Sequence, residues 1–513
     1  MRARAGAGLA WVVWFASSAI GCARSAIDEV VPREEAAESD EVRVTRNIGE
    51  SVVPDFEPTS DVPIGVIRWD AAPSDPELRS AFGIGTALTT RYSYLEPLLG
   101  WYLYGSGVDT QSIVDTEIRE DAGAIGHYAF VWYPPHELLD PDDDIYATSD
   151  IQHGFDAYMA SQYRGAIKFA LILQSFWLMT PRAGEDWGYL DTFAAWVRDR
   201  TKDPQYQTID GLPLIYLYDS EEMPTDRWAE FTATVGPVYT VDVNHRSPDA
   251  HRLALQGLAT YGPNGASLPG LGQRPWTAQR DIDRSHWGKV DIFDDVRSLT
   301  PLCDSRPRKG TAVTYGDQPT EPEWLDHLAG ALSGDPKLVL IYARNEYDEA
   351  GGTTGTSYRD GTRFNDALRW ARGAPRPDSY SYEIDAHSMV CARTGTWTYD
   401  FPAGGIPGAF ESDEIVSGTV GDSRALAHPR MLGVTLFATR GPDRGVADVE
   451  LDGVRVARVN LYASEQSRHV GVWNSGPLDG ADHTVEVKVT GERDGRSSSA
   501  QIGLDSFGVK YAP

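Results

Sequence analysis

The chain has 513 residues, more than one ordinary domain holds, and 41% hydrophobic with 24% charged residues is typical of a folded globular protein. Its 75 acidic residues outnumber the 46 basic ones, which gives a net charge of −29. This charge argues against nucleic acid or an anionic membrane surface as a partner, whereas a neutral polymer would be indifferent to it. The 15 tryptophans and 24 tyrosines supply aromatic faces for a core or for flat ligands.

Residues 1–22 have the pattern of an export signal. Arg2 and Arg4 precede an apolar stretch that ends at Ala19-Ile20-Gly21-Cys22 and resembles a bacterial lipobox. We expect Cys22 to be lipidated, so that a lipid anchor on the bacterial outer surface or in the periplasm is the only membrane contact. A secreted protein or an uncleaved anchor is the alternative. Residues 23–60 are expected to form a flexible acidic tether.

Residues 61–374 alternate apolar runs with amphipathic stretches, a pattern that predicts an α/β fold. The candidate strands are Ile64–Trp69, Tyr128–Tyr133, Lys168–Gln174, Pro213–Tyr218, Val238–Val243, Leu258–Tyr261, Thr311–Tyr315 and Leu338–Tyr342. The candidate helices are Thr110–Gly123, Gly154–Gln162, Tyr189–Arg200, Pro224–Thr234 and Pro322–Leu332. Eight strands with intervening helices predict a (β/α)₈ TIM barrel. The alternative, a doubly wound sheet, would need a glycine turn that the first strand lacks.

A cluster of carboxylates follows the last apolar run of this region. Glu346 and Glu349 come shortly after Leu338–Tyr342, with Asn345 directly before them. Two glutamates three residues apart face one cleft if the backbone turns helical there. In a partly desolvated cleft, one carboxyl group holds its proton and can donate it, while its ionised neighbour accepts one. The alternative is a solvated acidic loop.

This segment, KLVLIYARNEYDEAGG, resembles the Asn-Glu-Trp-x-Glu-Gly motif of glycoside hydrolase family 99, the endo-α-mannosidases, and of the related WbsX-like barrels. Asn345, Glu346 and Glu349 stand at the matching places, whereas Tyr347 and Ala350 replace the usual tryptophan and glycine. Further segments resemble parts of these barrels in the same order along the chain: residues 97–102, 121–133, 168–171, 209–216 and 358–364.

The resemblance implies an endo-acting, retaining glycoside hydrolase for an α-linked, mannan-like polysaccharide, with Glu346 as the base and Glu349 as the acid/base. A non-catalytic surface glycan-binding lipoprotein is the alternative suggested by Tyr347 and Ala350, and a family-71-like α-1,3-glucanase is a third reading. Residues after barrel strands face the site of such folds. The expected substrate-binding residues are Trp69, Asp70, Trp132, Tyr133, Gln174, Tyr218, Asp219, Tyr261, Tyr315, Asn345 and Tyr347.

Residues 375–380 form a proline-containing linker, and residues 381–513 change to short alternating runs broken by glycine. These runs, which predict a β-sandwich, are Val434–Thr439, Val446–Leu451, Val454–Leu461, Arg468–Trp473 and Thr484–Thr490. Asp452-Gly453 predicts a hairpin turn. The segment resembles galactose-binding-like jelly rolls, which implies a carbohydrate-binding module, with a structural lid as the alternative. The candidate sugar contacts are Trp397, Arg440, Arg444 and Trp473.

The sequence predicts no cofactor and no metal site. It has neither CxxC nor HExxH, the usual zinc patterns. The acidic run at residues 140–144 offers oxygen ligands, so a structural calcium ion stays an alternative to a solvated turn. Cys303 and Cys391 fall in different predicted domains, and the sequence leaves their pairing open. We expect a monomer.

Overall fold

A computed structural model gives the structure of the chain. It describes residues 62–70, 110–132, 153–175, 188–218, 220, 223–243, 253–261, 272–287, 294–301, 304, 306, 314–317, 319–345, 363–371, 374, 376–400, 406, 408–410 and 413–512.

Within these residues, the first part of the chain forms a sheet with eight parallel strands in the order β6-β5-β4-β3-β2-β1-β8-β7. Their bounds are β1 Ile64–Arg68, β2 His127–Trp132, β3 Lys168–Gln174, β4 Leu212–Tyr218, β5 Tyr239–Asp242, β6 Gly257–Leu258, β7 Val296–Leu299 and β8 Leu338–Ile341. Between β6 and β7, Thr260 N donates to Ser298 Oγ at 2.7 Å. The strands form a nearly closed barrel in chain order. This confirms the predicted TIM barrel and excludes the doubly wound sheet, whose strand order reverses.

Seven helices accompany the barrel strands in the described part of the chain. They are α1 Thr110–Asp121, α2 His153–Ala160, α3 Gly188–Thr201, α4 Thr225–Val235, α5 Trp276–His286, α6 Glu321–Leu332 and α7 Arg363–Ala371. The five predicted helical patterns match α1, α2, α3, α4 and α6 to within two residues at each end. A capping box of Thr320 and Glu323 starts α6, because the Glu323 carboxylate accepts the Thr320 backbone N–H at 2.9 Å.

Side chains of the barrel strands alternate between the helices and the barrel axis, as the pleat of a strand requires. Tyr128, Phe130 and Trp132 of β2 pack in the layer between sheet and helices, whereas Ala129 and Val131 face the interior. The described interior side chains pack together in one buried cluster, so the ends of the barrel are left for a site.

One predicted barrel strand lies elsewhere. Residues Thr314–Gly316 form a strand that overlaps the predicted Thr311–Tyr315, but it pairs with Gly272–Arg274 outside the barrel. Its place in the wall is taken by β7, which the sequence analysis missed because Arg297 interrupts the apolar run. The Arg297 guanidinium reaches away from the strand to the backbone oxygens of Gly330 and Ser333, at 2.8 and 2.6 Å.

The chain from Tyr380 onward forms the predicted β-sandwich. Its strands are β9 Tyr380–Asp385, β10 Cys391–Thr394, β11 Thr398–Asp400, β12 Glu414–Ser417, β13 Ser423–His428, β14 Met431–Arg440, β15 Val446–Leu451, β16 Val454–Asn460, β17 Ser467–Asn474, β18 His483–Val489 and β19 Ile502–Tyr511. The six-stranded sheet has the order β11-β12-β19-β14-β17, with β9 also paired to β19, and the five-stranded sheet has the order β10-β13-β18-β15-β16. Asp452 and Gly453, with φ of 53° and 76°, form the predicted hairpin turn.

The barrel and the sandwich contact each other through hydrogen bonds. Asp317 Oδ2 accepts from Ser388 Oγ at 2.8 Å and from the Met389 backbone N–H at 2.9 Å. Arg306 donates to the Tyr399 hydroxyl at 3.4 Å. The domain boundaries given above stay predictions.

Several sequence predictions fall on or near residues that the structure does not describe. The leader, the tether, Cys22, Cys303 and residues 140–144 lie outside the described residues. Cys391 is a buried free thiol, and burial raises its pKa to about 12. Among the described residues, no helix has the length and apolar character needed to cross a membrane, and no cluster of metal-binding side chains is found.

Candidate functional site

The candidate site lies where β1 and β8 end side by side. The two strands run parallel, with Val66 opposite Ile341, so their carboxyl ends reach the same end of the barrel. Pairing continues past the strands, since the Arg344 backbone N–H donates to Ile67 O at 2.6 Å. Trp69 and Asp70 after β1 therefore come beside Asn345 after β8.

Asn345 is held by hydrogen bonds from both ends of its side-chain amide. Its Nδ2 donates to Asp70 Oδ1 at 2.8 Å, and its Oδ1 accepts the Trp69 backbone N–H at 2.9 Å. Asp70 and Asn345 are 3% and 7% exposed. These bonds fix the orientation of the residue that directly precedes Glu346 in the sequence. The sequence analysis placed both residues in contact with substrate, but here they bind each other.

Burial raises the pKa of Asp70 to about 6. The Arg68 guanidinium, whose Nε lies 2.9 Å from Oδ1, opposes this shift, and the charge of Glu117 adds to it. Desolvation outweighs the ion pair because the carboxylate is removed from water while Arg68 is shared with Glu117. Helix α2 closes over the carboxylate at Gly154, where any Cβ would overlap Asp70 Oδ2. Asp70 therefore changes charge close to neutral pH.

A buried ionic network lies behind this pair of residues. Glu117 and Asp121, one turn apart on α1, contact Arg68 at 2.7 Å and Arg344 at 2.6 Å, and all four side chains are fully buried. Asp121 also accepts from Asn365 Nδ2 of α7 at 2.7 Å. Buried charges persist only with such partners, and removal of one leaves the others uncompensated. The network thus anchors the chain at the end of both strands, and the sequence analysis missed it.

Aromatic residues close the barrel interior at the same end. Tyr261 packs edge-on against Tyr218, with ring centroids 5.0 Å apart, and against Tyr342 at 5.3 Å. Trp69 belongs to the same interior cluster. The structure therefore brings together the predicted Trp69, Tyr218 and Tyr261. It adds Tyr342, which the sequence analysis treated only as the last residue of a strand.

Trp132 does not belong to this group, which corrects the sequence-based prediction. Its indole stacks on Trp196 at 4.1 Å and on Phe193 at 5.2 Å, both from α3, and it is 2% exposed. The strand alternation points it toward the helices and away from the cleft. Tyr133, Asp219, Glu346, Tyr347 and Glu349 lie outside the described residues. The backbone of Tyr315 lies outside the eight-stranded wall, as noted above.

The candidate sugar contacts of the sandwich also differ in their location. Trp397 is buried in the sandwich core, with its indole N–H donating to the backbone oxygens of Thr394 and Ser423, so its assignment as a sugar contact is wrong. Trp473 packs against the same core. Arg440 donates to Tyr462 O at 3.1 Å. Arg444 pairs with Glu414 at 2.8 Å and lines an open groove.

Comparisons with known proteins find solved structures of low sequence identity. No protein-family model matches the chain, and no curated protein matches it. Among solved structures, it is similar to the GH99 endo-alpha-mannosidase from Bacteroides thetaiotaomicron, with 15% identity over 62% of this chain and all of that one and a TM-score of 0.40. A "glycoside hydrolase-like protein" has 11% identity over 62% and 96%, with a TM-score of 0.44.

A third similar structure covers only the tail of the chain. It is the CBM36-1 domain of a multidomain xylanase from the hindgut metagenome of Trinervitermes trinervoides, with 11% identity over 25% of this chain and 96% of that one, and a TM-score of 0.19.

Proposed function

We propose that the chain is an exported glycoside hydrolase that cuts an α-linked, mannan-like polysaccharide internally and with retention of configuration. The observation that carries this proposal is the buried Asp70–Asn345 hydrogen bond at the carboxyl end of the barrel. It anchors the chain directly before Glu346, at the end of the barrel where TIM-barrel enzymes have their sites. Cell fractionation with an antibody to the chain checks the location, and a protein confined to the cytoplasm would contradict export.

The motif resemblance assigns the chemistry to the two glutamates. Glu346 would take the proton from the 2-hydroxyl of the sugar, whose oxygen then attacks the anomeric carbon. Glu349 would protonate the departing glycosidic oxygen as that bond breaks. Water, deprotonated by Glu349, would then attack the anomeric carbon and open the anhydro-sugar, and Glu346 would return its proton to the 2-oxygen. Positioned proton transfers of this kind are worth about 10² to 10⁴ in rate.

Asp70 and Asn345 would support this chemistry as positioning residues. Their mutual hydrogen bond, together with the Trp69 N–H, leaves Asn345 little freedom to turn. The ion pair between Arg344 and Asp121 holds the residue directly before Asn345. A carboxylate displaced by about 1 Å can lose about a hundredfold in rate, so a rigid approach to Glu346 would matter for catalysis.

The decisive experiment replaces Glu349 by glutamine and measures hydrolysis of mannan and α-manno-oligosaccharides. We expect Glu349→Gln to reduce kcat by about 10² to 10⁴ because the amide cannot donate or accept the proton. Binding of the polysaccharide should persist. Glu230→Gln, on the half-exposed Arg227–Glu230 pair of α4, is the matched control and should retain full activity. Hydrolysis by Glu349→Gln at the wild-type rate would remove the assignment.

A non-catalytic glycan-binding protein is the second candidate, favoured by Tyr347 and Ala350 in place of the motif's tryptophan and glycine. The same assay separates the two. Retention of mannan by the wild-type protein without release of reducing ends, at any pH between 4 and 8, supports the binding protein. Release of α-configured product detected by proton NMR supports the retaining enzyme.

A further inference from the structure

The loops that follow β6 and β7 leave the barrel at the end that holds the candidate site. Tyr261, after β6, packs against Tyr342 with ring centroids 5.3 Å apart. The backbone oxygen of Leu299, the last residue of β7, accepts the Tyr342 N–H at 2.9 Å. Tyr342 belongs to the segment that leads from β8 into Asn345. Both loops therefore begin next to this segment, at the carboxyl end of the barrel.

A short parallel ribbon, the loop ribbon, joins the two loops to each other. Its strands are Gly272–Arg274, from the loop after β6, and Thr314–Gly316, from the loop after β7. The pairing continues at Asp317, whose backbone N–H donates to Arg274 O at 2.7 Å. Each strand of the loop ribbon lies between a barrel strand and the next helix along the chain. The loop ribbon therefore belongs to the carboxyl end of the barrel.

The side chain of Asp317 connects the loop ribbon to the sandwich. Its Oδ2 accepts from Ser388 Oγ at 2.8 Å and from the Met389 backbone N–H at 2.9 Å. Its Oδ1 accepts from Gln273 Nε2 at 3.4 Å. Asp317 is 6% exposed, so water competes little for these bonds, and a carboxylate oxygen makes stronger hydrogen bonds than a neutral acceptor. One side chain thus contacts both loops and the sandwich.

A second set of contacts holds the loop after β7 against the sandwich. Arg306 Nε lies 2.9 Å from both carboxylate oxygens of Asp304, and both side chains are buried. Arg306 also donates to the Tyr399 hydroxyl at 3.4 Å, and this hydroxyl donates to Asp413 Oδ2 at 2.9 Å. The His387 ring stacks on the Tyr399 ring at 3.8 Å. The sandwich therefore holds the loop after β7 at two places.

The junction between the loops and the sandwich is closely packed. Its lining comes from both sides, with Asp317 and Thr320 from the barrel and Ile384 and Val390 from the sandwich. The cavity between them has a volume of about 40 Å³. Ligand pockets usually have about 300–1,000 Å³, so this junction is suited to contact between the two domains and not to the binding of a substrate.

We propose that Asp317 is a positioning residue, through which the sandwich holds the loops after β6 and β7 in one arrangement at the carboxyl end of the barrel. This inference rests on the proposed function, because the arrangement of the loops affects turnover only if the barrel is catalytic. Loops after the strands form the active sites of TIM-barrel enzymes, and a displacement of about 1 Å can cost about a hundredfold in rate. The sandwich thus contributes to hydrolysis without contact with the substrate.

The first test replaces Asp317 by alanine in the full chain and measures kcat and KM on mannan or another α-linked polysaccharide that the wild type cleaves. We expect kcat/KM to fall by about tenfold or more because the loops lose their fixed arrangement. Asp317→Asn keeps an oxygen that accepts from Ser388 and Met389, so its kcat/KM should stay within about threefold of wild type. Asp199→Ala, which removes an exposed carboxylate of α3 paired with Lys202, is the matched control and should be fully active.

Amide hydrogen exchange in the same proteins reports the loops directly. In Asp317→Ala, we expect peptides that cover the loop ribbon and Met389 to exchange about tenfold faster, and peptides that cover β2 and β3 to exchange as in wild type. Ser388→Ala removes one donor on the sandwich side and leaves the sequence of both loops unchanged. It should increase the same exchange and lower kcat/KM by about threefold. If Asp317→Ala does not fold, Ser388→Ala provides the same test.

Three results would overturn the inference and leave the proposed function intact. The first is wild-type exchange of the loop ribbon in a folded Asp317→Ala or Ser388→Ala protein. The second is faster exchange with an unchanged kcat/KM, since the sandwich would then hold the loops without an effect on the reaction. The third is faster exchange throughout the barrel, which would assign Asp317 to overall stability. A wild type that releases no product from any α-linked polysaccharide would instead contradict the proposed function, and the positioning role with it.

Discussion

At the carboxyl end of the barrel, Arg68 and Arg344 are fully buried and each contacts a carboxylate of α1. On the sandwich, Arg468 lines an open groove with its Nε unpartnered within the described residues. The barrel thus uses its buried charges on one another, whereas the groove leaves a buried donor without an acceptor among the described residues. Paired buried charges hold a backbone in place, whereas a buried donor without an acceptor costs stability.

The largest expected effect comes from breaking the barrel network. Arg344→Met leaves Asp121 and Glu117 buried with one cation fewer, which should lower the free energy of unfolding by about 3–5 kcal/mol. Arg455→Met breaks a surface pair with Asp448 in which Arg455 is 59% exposed, and it should cause no measurable loss. Urea unfolding monitored by tryptophan fluorescence measures both. Equal losses of unfolding free energy in the two variants would mean that the buried and the exposed ion pairs contribute alike to stability.

The next effect is a dependence on pH. Burial raises the pKa of Asp70 from 3.8 to about 6. Between these two pH values, the Asp70 carboxyl group keeps its proton in the folded state and loses it in the unfolded state. The contribution of Asp70 to stability is therefore full below pH 3.8 and falls as the pH rises to about 6, by about 3 kcal/mol in total. Asp70→Asn removes this titration.

We expect the difference in unfolding free energy between wild type and Asp70→Asn to decline from pH 4 to pH 7. Urea unfolding at several pH values measures it, and subtraction of the variant removes the contribution of all other carboxylates. A constant difference would mean that the Arg68 ion pair cancels the effect of burial on the pKa of Asp70, and a difference that rises with pH would mean that the ion pair outweighs it.

The sequence was sufficient for most of the fold, because long apolar runs and their spacing report local structure. It failed at β7, a four-residue strand in which Arg297 interrupts the apolar pattern. The Arg297 guanidinium reaches the backbone oxygen of Ser333, directly after α6. It also failed for Trp132, since an aromatic residue on a strand faces one of two sides and the pattern alone does not say which, and for Trp397, which directly precedes β11 and is buried in the sandwich core. Trp132 shares its side with Tyr128 and Phe130, which α2 and α3 cover.

The site was predicted only in part for a different reason. Asn345 and Asp70 were singled out because they follow strands, but their bond joins residues 275 positions apart. The contact of Arg344 with Asp121 spans 223 positions. A signal was present nonetheless: Arg68 and Arg344 stand at the ends of buried apolar runs, where a charge is costly without a partner. An arginine at such a position predicts an ionic network at the end of the strand, but the sequence does not identify the partners of the arginine.

The smallest effect is expected at Gly503, beside the Glu414–Arg444 pair that lines the sandwich groove. Gly503→Ala would push a methyl group toward Glu414 Oε2 and to 3.2 Å from Arg444 Nε. Both atoms are buried, and Glu414 Oε2 also accepts a hydrogen bond from Thr439 Oγ1, so we expect a loss of about 1–2 kcal/mol in unfolding free energy, as for other overpacked sites. Gly495→Ala is the matched control, since no atom lies within 4 Å of its added Cβ. It should be neutral in the same urea titration. If Gly503→Ala is also neutral, the Glu414–Arg444 pair shifts easily, and this part of the sandwich is less rigid than the end of the barrel.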